Sequence, residues 1–305
     1  MKQWRTVAAA TTVALALAAA TAPDAQAITG GERDDANHYS GVGMIAFYEG
    51  GLPYRCSATL VSRTVLLTAA HCTAATAGKT IVTFSPVVAE QPPSGLPVAA
   101  DADAGYTNAD IAEDWYTGTA YAHPEYSAFT DVKNWNDVGV VILDQPVGDV
   151  PAKLAPVGTL DAIPQSTLNS TLFRIVGYGT EVRDYAPVPT DANQGKKPTP
   201  HSYPIVRRYA DAPGQKLTPQ ILQVNGNIND PRGTGGSCFG DSGGPAFYPG
   251  EGKTDEKIVA VTSYGYTDNC RYLDGLQRVD IAVVQNWLKP IVKSGKAPTD
   301  YFGHE

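Results

Sequence analysis

The stretch GTGGSCFGDSGGPAF, Gly233 to Phe247, decides how the rest of the chain is read. Its centre, Gly240-Asp241-Ser242-Gly243-Gly244, places a hydroxyl among residues without a Cβ. The backbone there can bend tightly and present its N–H groups beside the Ser242 oxygen, as an oxyanion hole requires. A serine hydroxyl alone is a weak nucleophile, so this reading needs a base and a group that orients the base. Two upstream segments offer them: Ala69-Ala70-His71-Cys72 and Asn136-Asp137-Val138-Gly139-Val140.

The pentapeptide also fits the Gly-x-Ser-x-Gly elbow of α/β-hydrolases, in which the acid and the histidine follow the serine. Here the only histidine after Ser242 is His304, at the C-terminal end, and the order is His71, Asp137, Ser242. With its motifs in that order, the chain resembles the chymotrypsin/trypsin family of serine endopeptidases from about Ile28 to Leu288. A secreted esterase is disfavoured on the same ground.

The first 27 residues carry Lys2 and Arg5, an Ala/Val/Leu run from Val7 to Ala20, and Ala25-Gln26-Ala27, the pattern of a secretory signal peptide. The run is too short and too alanine-rich to prefer spanning a bilayer, so an exported, soluble, extracellular protein is expected, with no membrane partner after leader removal. Removal leaves 278 of 305 residues and, with Lys2, Arg5 and Asp24 gone, takes the formal net charge from −8 to −9. That acidic balance argues against a nucleic-acid partner. In an oxidising compartment an even count of four cysteines favours disulfides over metal or redox use.

Short apolar or alternating runs between Gly-rich turns read as strands at Val42–Tyr48, Cys56–Leu67, Thr80–Phe84, Val138–Leu143, Thr171–Tyr178, Ile221–Asn225, Ile258–Tyr264 and Leu276–Val279. Helical spacing is confined to Val279–Val292, an amphipathic C-terminal helix, so the class is all-β. The resemblance implies two antiparallel six-stranded β-barrels, about 28–150 and 151–292, with the site between them and a flexible tail over 293–305. Residues Ser85 to Gly118 read as a surface insertion, and Thr180 to Gln215 as a Pro-rich loop with two solvated basic pairs, Lys196-Lys197 and Arg207-Arg208. Asp101, Asp103, Asp110 and Asp114 lack EF-hand spacing and read as a solvated acidic face.

The resemblance assigns His71 as general base, Asp137 as its orienting acid and Ser242 as nucleophile, with the N–H groups of Gly240 and Ser242 as oxyanion donors. Among the five histidines, His38, His123, His201 and His304 sit in no comparable motif. Asp137 opens an apolar strand, where burial demands a partner, whereas Asp131 and Asp144 lie in loop and turn sequence. Four cysteines permit three pairings; proximity in the family selects Cys238–Cys270. A Cys56–Cys72 bond would brace the His71 loop, contributing roughly 3 kcal/mol in the chain-entropy model. Leader cleavage would expose Ile28-Thr29-Gly30-Gly31, whose α-amino group is implied to pair with Asp241.

Ser263-Tyr264-Gly265 is similar to the family's substrate-binding strand edge, so the implied partners are polypeptides, with protein protease inhibitors a further class. The floor of the specificity pocket, aspartate in trypsins, is here Gly236. With Gly265 on a wall, an apolar or aromatic side chain is expected ahead of a basic one, although Asp274 stands where it could supply a carboxylate. No metal or organic cofactor is implied, and a monomer is expected. The rival from another class is a catalytically inactive homologue acting as a secreted binding protein; such proteins typically lose one of the three residues, and here all are present.

Overall fold

The computed structural model describes residues 28, 30–180, 203–267 and 270–297. The expected leader, Lys196-Lys197, His201 and His304 lie outside the described residues. In chain order the strands are β1 (Glu32–Arg33), β2 (Val42–Glu49), β3 (Leu52–Ser62), β4 (Val65–Thr68), β5 (Ala77–Thr83), β6 (Val87–Ala89), β7 (Tyr116–Ala122), β8 (Gly139–Leu143), β9 (Leu172–Gly177), β10 (Ile205–Val206), β11 (Arg208–Leu217), β12 (Ile221–Asn225), β13 (Pro245–Tyr248), β14 (Lys257–Gly265) and β15 (Leu273–Arg278). Among the described residues, a single turn, α1 (Gln165–Leu168), and the C-terminal helix α2 (Ala282–Ser294) complete the α-helical set.

Strands β2, β3, β4, β8, β7 and β5 bond in that order and close into a barrel, β5 returning to β2. The second ring runs β9, β11, β12, β15, β14, β13 and back to β9, with β1 added at the edge of β11. The structure is therefore two six-stranded antiparallel barrels followed by a helix. Local chemistry explains the first hairpin: Gly50 and Gly51 both take positive φ (56° and 75°), the turn that matches strand twist, and Glu49 faces Leu52.

Ile45, Phe47, Cys56, Leu60, Leu66 and Val141 fill the first barrel, and Phe173, Ile175, Leu222, Val259 and Leu276 the second. A third cluster lies between them, joining Met44, Leu67 and Val140 to Val176, Phe247 and Val261, with Val284, Leu288 and Ile291 of α2. Those three helix positions recur at the spacing of one buried stripe. The helix starts later than its apolar pattern because Val279 still donates to Val259 O at 2.9 Å, continuing the sheet. It stops at Gly295, whose left-handed φ of 63° lets its N–H reach Ile291 O at 2.8 Å.

Two expected surface segments are corrected. Residues 208–217 form a full barrel strand, and Ile205–Val206 pairs with Val87–Ala89 of the other insertion. Arg207 and Arg208 are buried rather than solvated. The Arg207 guanidinium donates to Asp34 Oδ2 at 2.7 Å, to Val42 O at 2.9 Å, to Phe84 O at 3.0 Å and to Tyr178 Oη at 3.1 Å. A buried cation is tolerated because charge and hydrogen bonds meet it. Within 85–118, Ala99 and Tyr106 are buried against Ala46, Tyr48 and Ile81, so part of that insertion is core. Asp101 and Asp110 accept backbone N–H groups of their own loop.

Candidate active site

His71 sits in the 3-10 turn Ala70–Cys72 directly after β4, behind the small buried residues Ala69 and Ala70. Cys72 is bonded to Cys56 on β3, so the turn is tied covalently to the barrel wall. Asp137 stands just before β8, and β8 opens with Gly139 opposite Thr68, the last residue of β4. That register carries the acid to the imidazole. Asp137 is fully buried; its Oδ1 accepts the His71 backbone N–H at 2.9 Å and its Oδ2 lies 2.8 Å from His71 Nδ1. A carboxylate facing Nδ1 selects the tautomer with the proton there, leaving Nε2 as an acceptor.

Two residues outside the sequence motifs extend this network, and one already singled out for substrate binding gains a second contact. Ser263 Oγ donates to Asp137 Oδ2 at 2.6 Å, and Trp135 Nε1 donates to Ser263 Oγ at 3.0 Å. The Asp137 N–H donates to Gln277 Oε1 at 3.1 Å. Phe129 packs 5.5 Å from the His71 ring and 5.1 Å from Trp135, which in turn meets Tyr264 at 5.2 Å. Of the rival acids, Asp144 pairs with Lys79 at 2.8 Å and Asp131 accepts from Lys133 N and Asn134 in its own loop.

Ser242 is half-buried at the start of the tight bend before β13. Gly243 takes φ +77°, and a Cβ there would collide with Thr68 Oγ1 and stand 2.7 Å from Ala69 N. The Ser242 loop therefore lies against the end of β4, three residues before His71. Its peptide planes are fixed: Phe239 O accepts from Thr180 N at 2.7 Å, Asp241 O from Gly244 N at 2.8 Å, and Ser242 O from Ser57 N at 2.8 Å. In a trans peptide the N–H opposes the preceding C=O, so the N–H groups of Gly240 and Ser242 point away from Thr180 and Gly244.

Asp241 is fully buried, its Oδ1 accepting from Gly179 N at 2.7 Å and its Oδ2 from Cys238 N at 2.8 Å. Side chains at Gly177 or Gly179 would collide with this carboxylate. Burial pushes it up to about 7 against the pull of those N–H groups and of the Arg55 and Arg208 charges. Ile28 is fully buried too, with φ 49° and its carbonyl accepting from Gly31 N at 2.6 Å.

Cys238 and Cys270 form the second disulfide. Asp274 lies buried on β15, opposite Gly265 of β14, and its Oδ2 accepts from Ser237 N at 2.7 Å. A Cβ at Gly236 would stand 2.7 Å from Asp274 Oδ2, and one at Gly265 3.7 Å from Oδ1. Gly236, Gly265 and Asp274 thus meet in one place. Burial pushes the Asp274 carboxyl up to about 7.

Among the described residues, Cys56, His71 and Cys72 are the one group of side chains close enough to hold a metal. Both sulfurs are spent in a disulfide, which offers no thiolate ligand.

Twin barrels with an imidazole–carboxylate pair and a Gly-Asp-Ser-Gly-Gly loop at their junction define a chymotrypsin-like serine protease fold. The family model described as Trypsin matches residues 28–288, and the chain belongs to that family. Similar solved structures include HL collagenase (14% identity, TM-score 0.57, covering 88% of this chain and 100% of that one). Human heparin binding protein aligns at 15% identity and TM-score 0.58, covering 90% of this chain and 100% of its own. The scabies mite inactivated protease paralogue S-I1 aligns at 16% identity and TM-score 0.55, covering 87% of this chain and 99% of its own. At such identities the likeness speaks for the fold alone. No curated protein sequence matches the chain significantly.

Proposed function

We propose that the chain is a secreted serine endopeptidase working through an acyl-enzyme. Ser242 Oγ attacks the scissile carbonyl while its proton passes to His71 Nε2, and Asp137 stabilises the imidazolium that forms. The N–H groups of Gly240 and Ser242 receive the developing oxyanion. The imidazolium then protonates the leaving amine, and a water deprotonated by His71 frees the acid product and restores Ser242. The observation that carries this reading is the buried Asp137 carboxylate, engaged by both the backbone N–H and Nδ1 of His71.

A polypeptide substrate is supported by the edge of β14. Its partner β13 pairs only as far as Val261, so Ser263–Gly265 run on past it toward the cleft. An extended peptide can add there as an antiparallel strand. The buried Asp274 against Gly236 and Gly265 supports a pocket that takes apolar or aromatic side chains while the carboxyl is protonated and basic ones once it ionises. Asp241 supports maturation at Ile28: burial pushes this acid up to about 7 even beside the Arg55 and Arg208 charges, and a freed α-amino group next to it would further favour the ionised form.

The test is labelling of the leader-free protein with a fluorophosphonate. One label per chain on Ser242, and none on Ser242→Ala, is expected. A folded protein that takes no label would instead place the chain with inactive homologues, a state the inactivated mite paralogue shows this fold can reach.

A further inference from the structure

Ser57 is fully buried on β3, next to the disulfide-bonded Cys56, and the catalytic scheme above does not use it. Every polar group it owns is committed to the junction between the barrels. Its N–H donates to Ser242 O at 2.8 Å. Its hydroxyl donates to Gly240 O at 2.9 Å and accepts from Tyr178 N at 2.9 Å. Its carbonyl accepts from Thr68 Oγ1 at 2.8 Å. Alternation along the strand sends Cys56 toward the His71 turn and Ser57 toward the nucleophile loop.

We propose that Ser57 is a positioning residue for the oxyanion hole: its hydroxyl clamps the Gly240 carbonyl, and through it sets the N–H groups of Gly240 and Ser242. This rests on the serine-endopeptidase reading. Gly240 takes φ +98° between two anchored peptide planes, so rotation of the Gly240–Asp241 peptide would turn the donors on either side of it. Without the hydroxyl, the Gly240 carbonyl and the Tyr178 N–H are left buried and unpaired, and the loop relaxes to satisfy them. Preorganised donors lose most of their catalytic effect when they shift by a fraction of an ångström.

The experiment compares leader-free wild type, Ser57→Ala and Thr68→Val, each titrated with a fluorophosphonate, with kcat and KM on a peptide amide expressed per titrated site. For Ser57→Ala, kcat per site should fall about 10- to 100-fold, with KM within about twofold, because donors to the oxyanion act in the transition state. Thr68→Val, which removes the hydrogen bond to the Ser57 carbonyl and keeps a side chain of the same shape against Gly243, should give the same pattern at about 2- to 5-fold. A purely structural Ser57 would lower the titratable fraction and leave the rate per site untouched, and that result overturns the proposal. If Ser57→Ala yields no folded protein, an unchanged kcat per site in Thr68→Val overturns it equally. A wild type that takes no label removes the endopeptidase reading and this proposal with it, whereas a labelled wild type with unaltered variants removes this proposal alone.

Discussion

His71 and Asp137 come from the first barrel, braced by a disulfide and by three hydrogen bonds onto one carboxylate. Ser242 comes from the second, on a loop flanked by two buried acids, Asp241 and Asp274, that burial pushes up to about 7. The base side is complete within the chain as it stands. The Ser242 side carries two acids whose ionised forms burial disfavours, Asp241 even beside the Arg55 and Arg208 charges. On the proposed function, the orientation of His71 is a matter of packing, while the Ser242 loop and the pocket beside it respond to pH and to the cations that reach them.

The hardest test of the packed side is Asp137→Asn. The amide keeps the shape but favours the wrong imidazole tautomer, so kcat should drop by about 10⁴-fold in a protein that still folds. A loss under tenfold in steady-state hydrolysis would mean that Asp137 does not orient the base. The conditional side is tested by adding one residue before Ile28. If the freed α-amino group pairs with Asp241 as proposed, this moves it away, and activity should fall by at least about 100-fold as the oxyanion donors lose their support. An undiminished rate would show that Arg55 and Arg208 suffice and that the two sides are equally self-contained.

A finer contrast lies in the pocket. The raised pKa of Asp274 means that it is neutral below about 7 and charged above. Cleavage after arginine relative to phenylalanine should therefore rise by about tenfold, roughly 1.4 kcal/mol, as pH climbs through that window. Asp274→Asn should flatten the ratio, measured on two peptides differing only at that position. The same shift carries a stability cost of opposite sense. An acid held above its ordinary value stabilises the fold fully only below the usual carboxylate range, and that contribution is lost as pH rises through about 7.

The family was legible because His71, Asp137 and Ser242 each sit in a short local motif and the three motifs occur in an informative order. Individual strands were legible where apolar residues alternate or cluster, as in Val42–Glu49 and Gly139–Leu143, while their closure into two barrels came from the family resemblance. Strand β11 was hidden because Ala212-Pro213-Gly214 reads as loop chemistry, although Pro213 pairs with Leu172 and Gly214 faces Val224 at a register shift. Asp274 was singled out for the pocket by resemblance, while its burial follows from pairing with Gly265 across β14, which no local pattern announces. Ser57, Trp135 and Gln277 escaped for the same reason: each acts through a bond to a residue more than a hundred positions away.

Arg207 carries a consequence for how the molecule can be divided. Its guanidinium, which no solvent reaches, ties the segment before the first barrel, through Asp34, to the edge of that barrel at Val42 and to Tyr178 at the end of β9. Splitting the polypeptide between the barrels would strand that cation and its partner acid on separate pieces. Each piece would then bear the loss of a buried ion pair, on the order of 3–5 kcal/mol, besides an uncovered apolar face. Halves expressed apart should stay unfolded, and mixing them during refolding is the route by which a nicked molecule could reassemble.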